Sequence, residues 1–539
     1  SSIYGSDAVA GVVNIITKKT DGATFEAFVA QPNDSGGETS RISGSWGKEL
    51  DRGYFRATVD YNKTEILQRR DRDYFNCEED YTFDVDTGER ADLIDPRTGK
   101  YLCNDLPWGH VWVYDYAAYV GGDGDGTTNV GPPTYLLQYD FDGQLSANGL
   151  PGIPTATNPN HLVSPPGWYP IRQGDDLSNS LYDAQHPLHG LQTLVPESEV
   201  TTLFLEGEYE LTDNVTAYSE VLLNRRETDY QGYLQIWSYV YNYDSKDLGW
   251  GSDPFSVGWE GAQWLSPLSV TDQYRQRVTV DYGRVVAGLK GEIDTVLPGW
   301  NWDLSFQYSD SDGEYEDDVV LNDALTETFW RTGSCVGTTT SISNRSCVDI
   351  PWMDPEFLRG VIPQEIQDFL YDTDVGGTEY KQWSTEGFMS GDIFEMPAGS
   401  VAVAVGFHYR EDEIRDVPGP IIQAGNAWQF GTGGVTTGQS DTSAIFAEID
   451  VPLLANVPGA HYLDFNASVR YTDVSANDAG IKYEADDTTY KVGMNWAITD
   501  TFRARSTYGT SFRTPALFEL FLSNESSFLS ARAADPCIN

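Results

Sequence analysis

The chain has 539 residues, with 82 Asp and Glu against 34 Lys and Arg, for a formal net charge of −48. That balance, without a cluster of Lys or Arg, excludes a nucleic-acid binder, because neutralising a phosphate backbone takes grouped cations. The longest apolar runs, such as Val401-Ala402-Val403-Ala404-Val405, fall far short of the roughly 18 residues of a helical membrane span, so a membrane protein of this sequence has to be a β-barrel.

The first predicted element is a small-residue turn (Gly5, Ser6, Ala8, Ala10, Gly11) feeding the β-branched run Val12-Val13-Asn14-Ile15-Ile16-Thr17, which Lys18 and Lys19 stop. It reads as a buried strand. Its order, Tyr4-Gly5-Ser6, Ala8, Gly11 and Asn14-Ile15-Ile16-Thr17-Lys18, resembles the last segment of the plug domain of TonB-dependent outer-membrane receptors; the other reading is an ordinary strand of an α/β protein. The chain begins without Met and shows no charged n-region leading into an apolar h-region, so no secretory signal is visible and a fragment is expected. The resemblance implies that residues 1–20 end a plug and that residues 21–539 form part of a barrel.

Segments of about ten residues with period-two alternation then follow almost to the end of the chain. Phe55, Ala57, Val59 and Tyr61 share a face. So do Trp300, Trp302, Leu304, Phe306 and Tyr308, opposite Asn301, Asp303, Ser305, Gln307 and Ser309. Val401 to Tyr409, Leu463 to Tyr471 and Tyr490 to Ile498 repeat the design. A sandwich core has no reason to keep its aromatics near the strand ends, whereas a transmembrane barrel places them in girdles at the two interfaces. The expected fold is all-β: a transmembrane antiparallel barrel supplying about thirteen strands, where barrels of the resembled family close with twenty-two.

Short turns recur between long excursions at about 65–196, 230–270, 315–380 and 417–441, and a strict short-long alternation is the expected plan. Two Cys pairs fall inside these excursions, Cys77 with Cys103 and Cys335 with Cys347, and Cys537 is left over. Local pairs in polar loops predict disulfides and an oxidising compartment, with free thiols as the alternative. Near the end, Phe512-Arg513-Thr514-Pro515-Ala516-Leu517-Phe518-Glu519-Leu520 resembles a mid-barrel signature of the same receptors, on Phe512, Arg513, Pro515, Leu517, Glu519 and Leu520.

No catalytic constellation stands out: the six His are scattered, and acid pairs are too numerous to rank. No enzyme, cofactor or metal is expected. Asp84-Val85-Asp86-Thr87-Gly88 and Gly122-Asp123-Gly124-Asp125-Gly126 fit loop calcium on one reading and solvated turns on the other, neither continuing to a closing Glu. The densest recognition-type stretch holds Trp108, Trp112, Tyr114, Tyr116 and Tyr119. These side chains suit a sugar ring or polycyclic ligand, or else form the small core of a folded loop. Arg503, Arg505 and Arg513 are read as lumen cations facing the plug or an acidic ligand.

The resemblance implies a receptor in the outer membrane of a Gram-negative bacterium. It would bind a scarce nutrient at the cell surface, a carbohydrate, a siderophore or a similar bulky ligand. Import would draw on TonB and its inner-membrane proton-driven motor, with outer-membrane lipid around the wall and no nucleic acid as partner. A passive porin-like barrel, and a secreted all-β carbohydrate-binding protein, are the rival readings.

Overall fold

The computed structural model describes residues 21–75, 77, 79, 81–92, 94–103, 108–114, 135–147, 164–173, 182–184, 186–243, 251–259, 264–478, 480–523 and 525–526. The strand expected within residues 1–20, with its plug motif, lies outside them, as do Tyr116, Tyr119 and Cys537.

One antiparallel sheet of 13 strands dominates, each strand bonded to the next in chain order. Its strands are β1 (Gly22–Ala30), β2 (Thr39–Leu50), β3 (Gly53–Thr64), β4 (Glu197–Thr212), β5 (Val215–Gln231), β6 (Arg275–Ile293) and β7 (Trp300–Val320). They continue as β8 (Tyr371–Met396), β9 (Gly399–Val417), β10 (Thr436–Val457), β11 (Ala460–Asp478), β12 (Ile481–Ala497) and β13 (Arg503–Gly509). Among the described residues, no helix is long and apolar enough to cross a membrane.

Register explains which face of the wall is apolar. Leu304 lies beside Leu289 and Gly387, and Tyr308 beside Val285 and Trp383, so the alternate residues of β7 line up with apolar partners on both neighbours. Leu304, Phe306 and Tyr308 are exposed on this outer face, each by more than two fifths. Aromatics bound the belt, with Trp302 beside Met389 at one margin and Trp383 in contact with Tyr409 at the other, ring centroids 4.9 Å apart. Beyond Tyr308 the same face turns charged: Asp310 lies beside Lys381, and Asp312 beside Glu379.

The strands are longer than the ten residues expected from the alternation, reaching 21 in β7 and 26 in β8. Apolar alternation measures only the apolar outer belt. The backbone ladder needs no apolar side chain, and it runs on into the charged region because every N–H and C=O there still requires a partner.

At one end the connections are residues 51–52, 213–214, 294–299, 397–398, 458–459 and 498–502; at the other they are 31–38, 65–196, 232–274, 321–370, 418–435 and 479–480. The strict alternation therefore fails at 479–480, where Asp478 pairs directly with Ile481. Gly480, at φ +93°, takes the left-handed conformation that a two-residue hairpin demands and other residues resist.

Candidate ligand-binding cap

The long connections fold together into one cap at the long-loop end. Its sheet takes strands from two connections, in the spatial order 234–237, 264–271, 110–114, 135–139 and 168–173, with 240–241 bonded to the second. A third connection supplies three short helices, Asn322–Thr326, Pro355–Leu358 and Gln364–Leu370. Val111, Val113, Ile236, Leu265, Phe357 and Trp428 belong to one buried cluster that spans four connections. A long loop with polar ends stays ordered only by burying apolar surface, and here the loops do so against one another.

Both disulfides brace this cap, Cys77 to Cys103 in the first long connection and Cys335 to Cys347 in the third. Beside the second, buried Asp323 accepts hydrogen bonds from Ser343 N–H at 2.6 Å, Ile342 N–H at 2.9 Å and Ser343 Oγ. Burial alone would raise its carboxyl, but these donors win and hold it at about 2.

Of the recognition-type aromatics, Trp108, Trp112 and Tyr114 are described, and they pack within the cap. Trp108 is 4% exposed, stacked on Phe141 at 4.8 Å and edge-on to His186 at 4.5 Å. Trp112 is half-buried against a second cluster of Leu102, Leu136, Ile171, Tyr182 and Ala184, and Tyr114 meets Trp264 edge to face at 5.4 Å. Fully buried Gln138 fixes this region, donating from Nε2 to Trp108 O at 2.8 Å and Asp183 O at 2.9 Å, and accepting from Asp183 N–H at 2.7 Å.

Of the two acidic patterns, only the first is described. Asp84 Oδ1 accepts from the N–H groups of Asp86 and Thr87 and from Thr87 Oγ1, so that oxygen serves its own turn. Sequence reasoning missed that this turn recurs eleven residues later: Asp84-Val85-Asp86-Thr87-Gly88 is followed by Asp95-Pro96-Arg97-Thr98-Gly99. Gly88 and Gly99 share φ +69°, and each donates its N–H to the turn's first Asp carbonyl. The repeated Asp-x-x-Thr-Gly spacing was the available signal.

Below the cap, the inward face of the wall is polar. Asp412 accepts from Tyr380 OH at 2.9 Å and Gln382 Nε2 at 2.7 Å, and lies 2.8 Å from Arg410 Nε. Arg470 stands over the Phe446 ring. Arg503 and Arg505 are exposed on β13. The C-terminal signature folds as a capped helical turn, Leu517–Phe521, in which Glu519 binds Arg513 Nη2 at 2.8 Å and accepts from Ala516 N–H at 2.8 Å. Leu517 and Phe521 pack with Ile414 and Ala476 of β9 and β11.

A family model described as TonB dependent receptor-like, beta-barrel matches residues 217–536. No curated protein matches the sequence. Among solved structures, the chain is similar to the ferric-catecholate import receptor Fiu from E. coli K12, with 10% identity over 90% of this chain and 56% of that one, at a TM-score of 0.38. It is similar also to the siderophore receptor PirA from Acinetobacter baumannii, with 12% identity over 96% of this chain and 47% of that one, at a TM-score of 0.40. The chain thus spans about half the length of the solved receptors it matches.

Proposed function

Since the chain belongs to the TonB-dependent receptor family, we propose that it forms the cap and part of the wall of an outer-membrane receptor that captures a scarce nutrient and imports it with TonB-transmitted energy. The family match over residues 217–536 carries this reading. Three features of the chain support it. A lipid-facing belt with aromatic margins fits an outer-membrane wall. The cap, built from several connections around shared cores, offers a preformed surface for capture. The inward face carries charged groups such as Arg410, Asp412 and Arg470, suited to hold a polar plug and release it when pulled.

The physical logic of the active reading is occlusion. A barrel wide enough to pass a bulky ligand leaks unless something fills it, and removing that filler takes work. TonB, driven by the inner-membrane proton motor, supplies the work. In cells carrying the full-length protein, deletion of TonB or an uncoupler should leave surface binding intact and stop accumulation. Accumulation that continues unchanged without TonB would replace this reading with a passive porin.

A further inference from the structure

Against the Cys77–Cys103 disulfide, the second of the two repeated turns borders a recess of about 570 Å³. Its size falls within the range of about 300–1,000 Å³ usual for small-molecule sites. Four stretches of chain build it: the residues around the disulfide, the turn from Asp95 to Lys100, Asp142 with Gln144, and Tyr182 to Ala184.

The recess is held open without a ligand. Arg97 grips Asp95 from Nε at 3.0 Å and Nη2 at 2.8 Å, and the same Nη2 donates to Tyr182 O at 2.9 Å, across 85 residues of sequence. The far wall is pinned by Gln138, which exchanges bonds with the backbone of Asp183. A site assembled in advance spends little binding energy on ordering itself.

The wall chemistry selects the occupant. Asp73, Asp142 and Asp183 line it with carboxylates, Glu79 is already ion-paired with Arg90 Nη2 at 2.5 Å, and Gln144 and Thr98 add an amide and a hydroxyl. The cations are Lys100 and Arg97, and Arg97 is already matched by Asp95. An anionic iron chelate would meet a surplus of like charge there. Hydroxyl groups would instead donate to the carboxylates in charge-assisted hydrogen bonds. Tyr101, Leu102 and Tyr182 supply apolar wall for the C–H face of a sugar ring.

We propose that this recess is a capture subsite for a neutral oligosaccharide, a proposal that rests on the uptake reading above. The test takes the full-length receptor in detergent micelles, with an array of neutral oligosaccharides and a ferric tris-catecholate complex as probes. Thr98→Trp fills the recess from an exposed turn. Asp142→Asn removes a charge while keeping the acceptor for Gln144 N–H, and Asp86→Ala alters the neighbouring turn outside the recess. At least one glycan should bind, with affinity lowered tenfold or more by Thr98→Trp and by Asp142→Asn and unchanged by Asp86→Ala. Disulfide mapping confirms that each variant has folded. The proposal is overturned if no glycan binds, if the ferric complex binds more tightly than every glycan, or if both recess variants bind like the parent. Glycan binding lost in these variants but accumulated without TonB would uphold the subsite and sink only the active-transport reading.

Discussion

His186 Nε2 lies 2.9 Å from the backbone oxygen of Arg359, a contact that ties the first long connection to the third across 173 residues of chain. His186 Nδ1 accepts from Leu188 N–H at 3.1 Å, so the ring proton sits on Nε2, which donates to Arg359 O. Both ring nitrogens are engaged by a neutral imidazole. Protonating Nδ1 would abolish the acceptor for Leu188 and uncap the turn Pro187–Leu191.

An acid-sensitive cap follows. Burial lowers the His186 imidazole, and burial, then His186 and Arg69, push His189 down to about 4. Around this pair stand Arg69, Arg359 and the rings of Trp108 and Tyr233. With folded values below the ordinary 6.5, the unfolded cap binds more protons, so stability is present above about pH 6.5 and is lost as pH falls toward 4. For His189 the loss amounts to about 3 kcal/mol. Hydrogen exchange across residues 108–114 and 355–370 should accelerate over that window, and His189→Leu should flatten the profile. A parent profile flat from pH 7 to 4 would remove the mechanism.

Asp323 titrates in a different window. Its carboxyl, held at about 2, contributes stability above pH 3.8 that is lost only as pH falls through about 2. Asp323→Ala strips the acceptor from Ser343 N–H and Ile342 N–H, which should cost about 1–3 kcal/mol of cap stability. Urea denaturation followed by exchange in residues 335–347 measures it. An unchanged midpoint would mean that water replaces the carboxylate without penalty.

The wall was legible in the sequence because a strand with one apolar face carries a two-residue period, which Trp302, Leu304, Phe306 and Tyr308 display without ambiguity. The cap was not. Its strand 110–114 reads as a recognition motif in isolation, and its pairing with 264–271 depends on residues some 150 positions away that carry no alternation of their own. The extent of β8 was hidden for a related reason: polar strand residues such as Asp372 and Thr373 differ little in composition from those of a loop. The disulfides were readable, since each joins the nearest cysteine in sequence.

Topology can be tested on intact cells. Val85, 98% exposed at the tip of the first repeated turn, should react with a membrane-impermeant label as Val85→Cys, whereas Asn456→Cys at the short-turn end should stay dark. Equal labelling of both would invert or abolish the assignment of sides. The Cys77–Cys103 bond, worth about 3 kcal/mol on the chain-entropy account, should survive non-reducing mass mapping, and its reduction should loosen the recess before the wall.

The last prediction concerns the C-terminal signature. Arg513 and Glu519 hold the start of the helical turn, and burial of Leu517 and Phe521 against the inner face of the wall holds its body. The two contributions differ in kind. Glu519 is exposed, with its carboxyl lowered first by Ala516 N–H and then by Arg513, so Glu519→Ala should fray the turn while leaving it docked. Leu517→Ala opens a cavity beside Ile414 and Ala476 and should cost about 2–4 kcal/mol, enough to release the segment from the wall. Gly438 supplies a third probe, since a Cβ there would lie 2.4 Å from the Phe521 ring. Gly438→Ala should therefore displace the helix as Leu517→Ala does. Exchange at residues 517–521 should rise modestly in Glu519→Ala and sharply in the other two variants. The docking argument fails if all three behave alike.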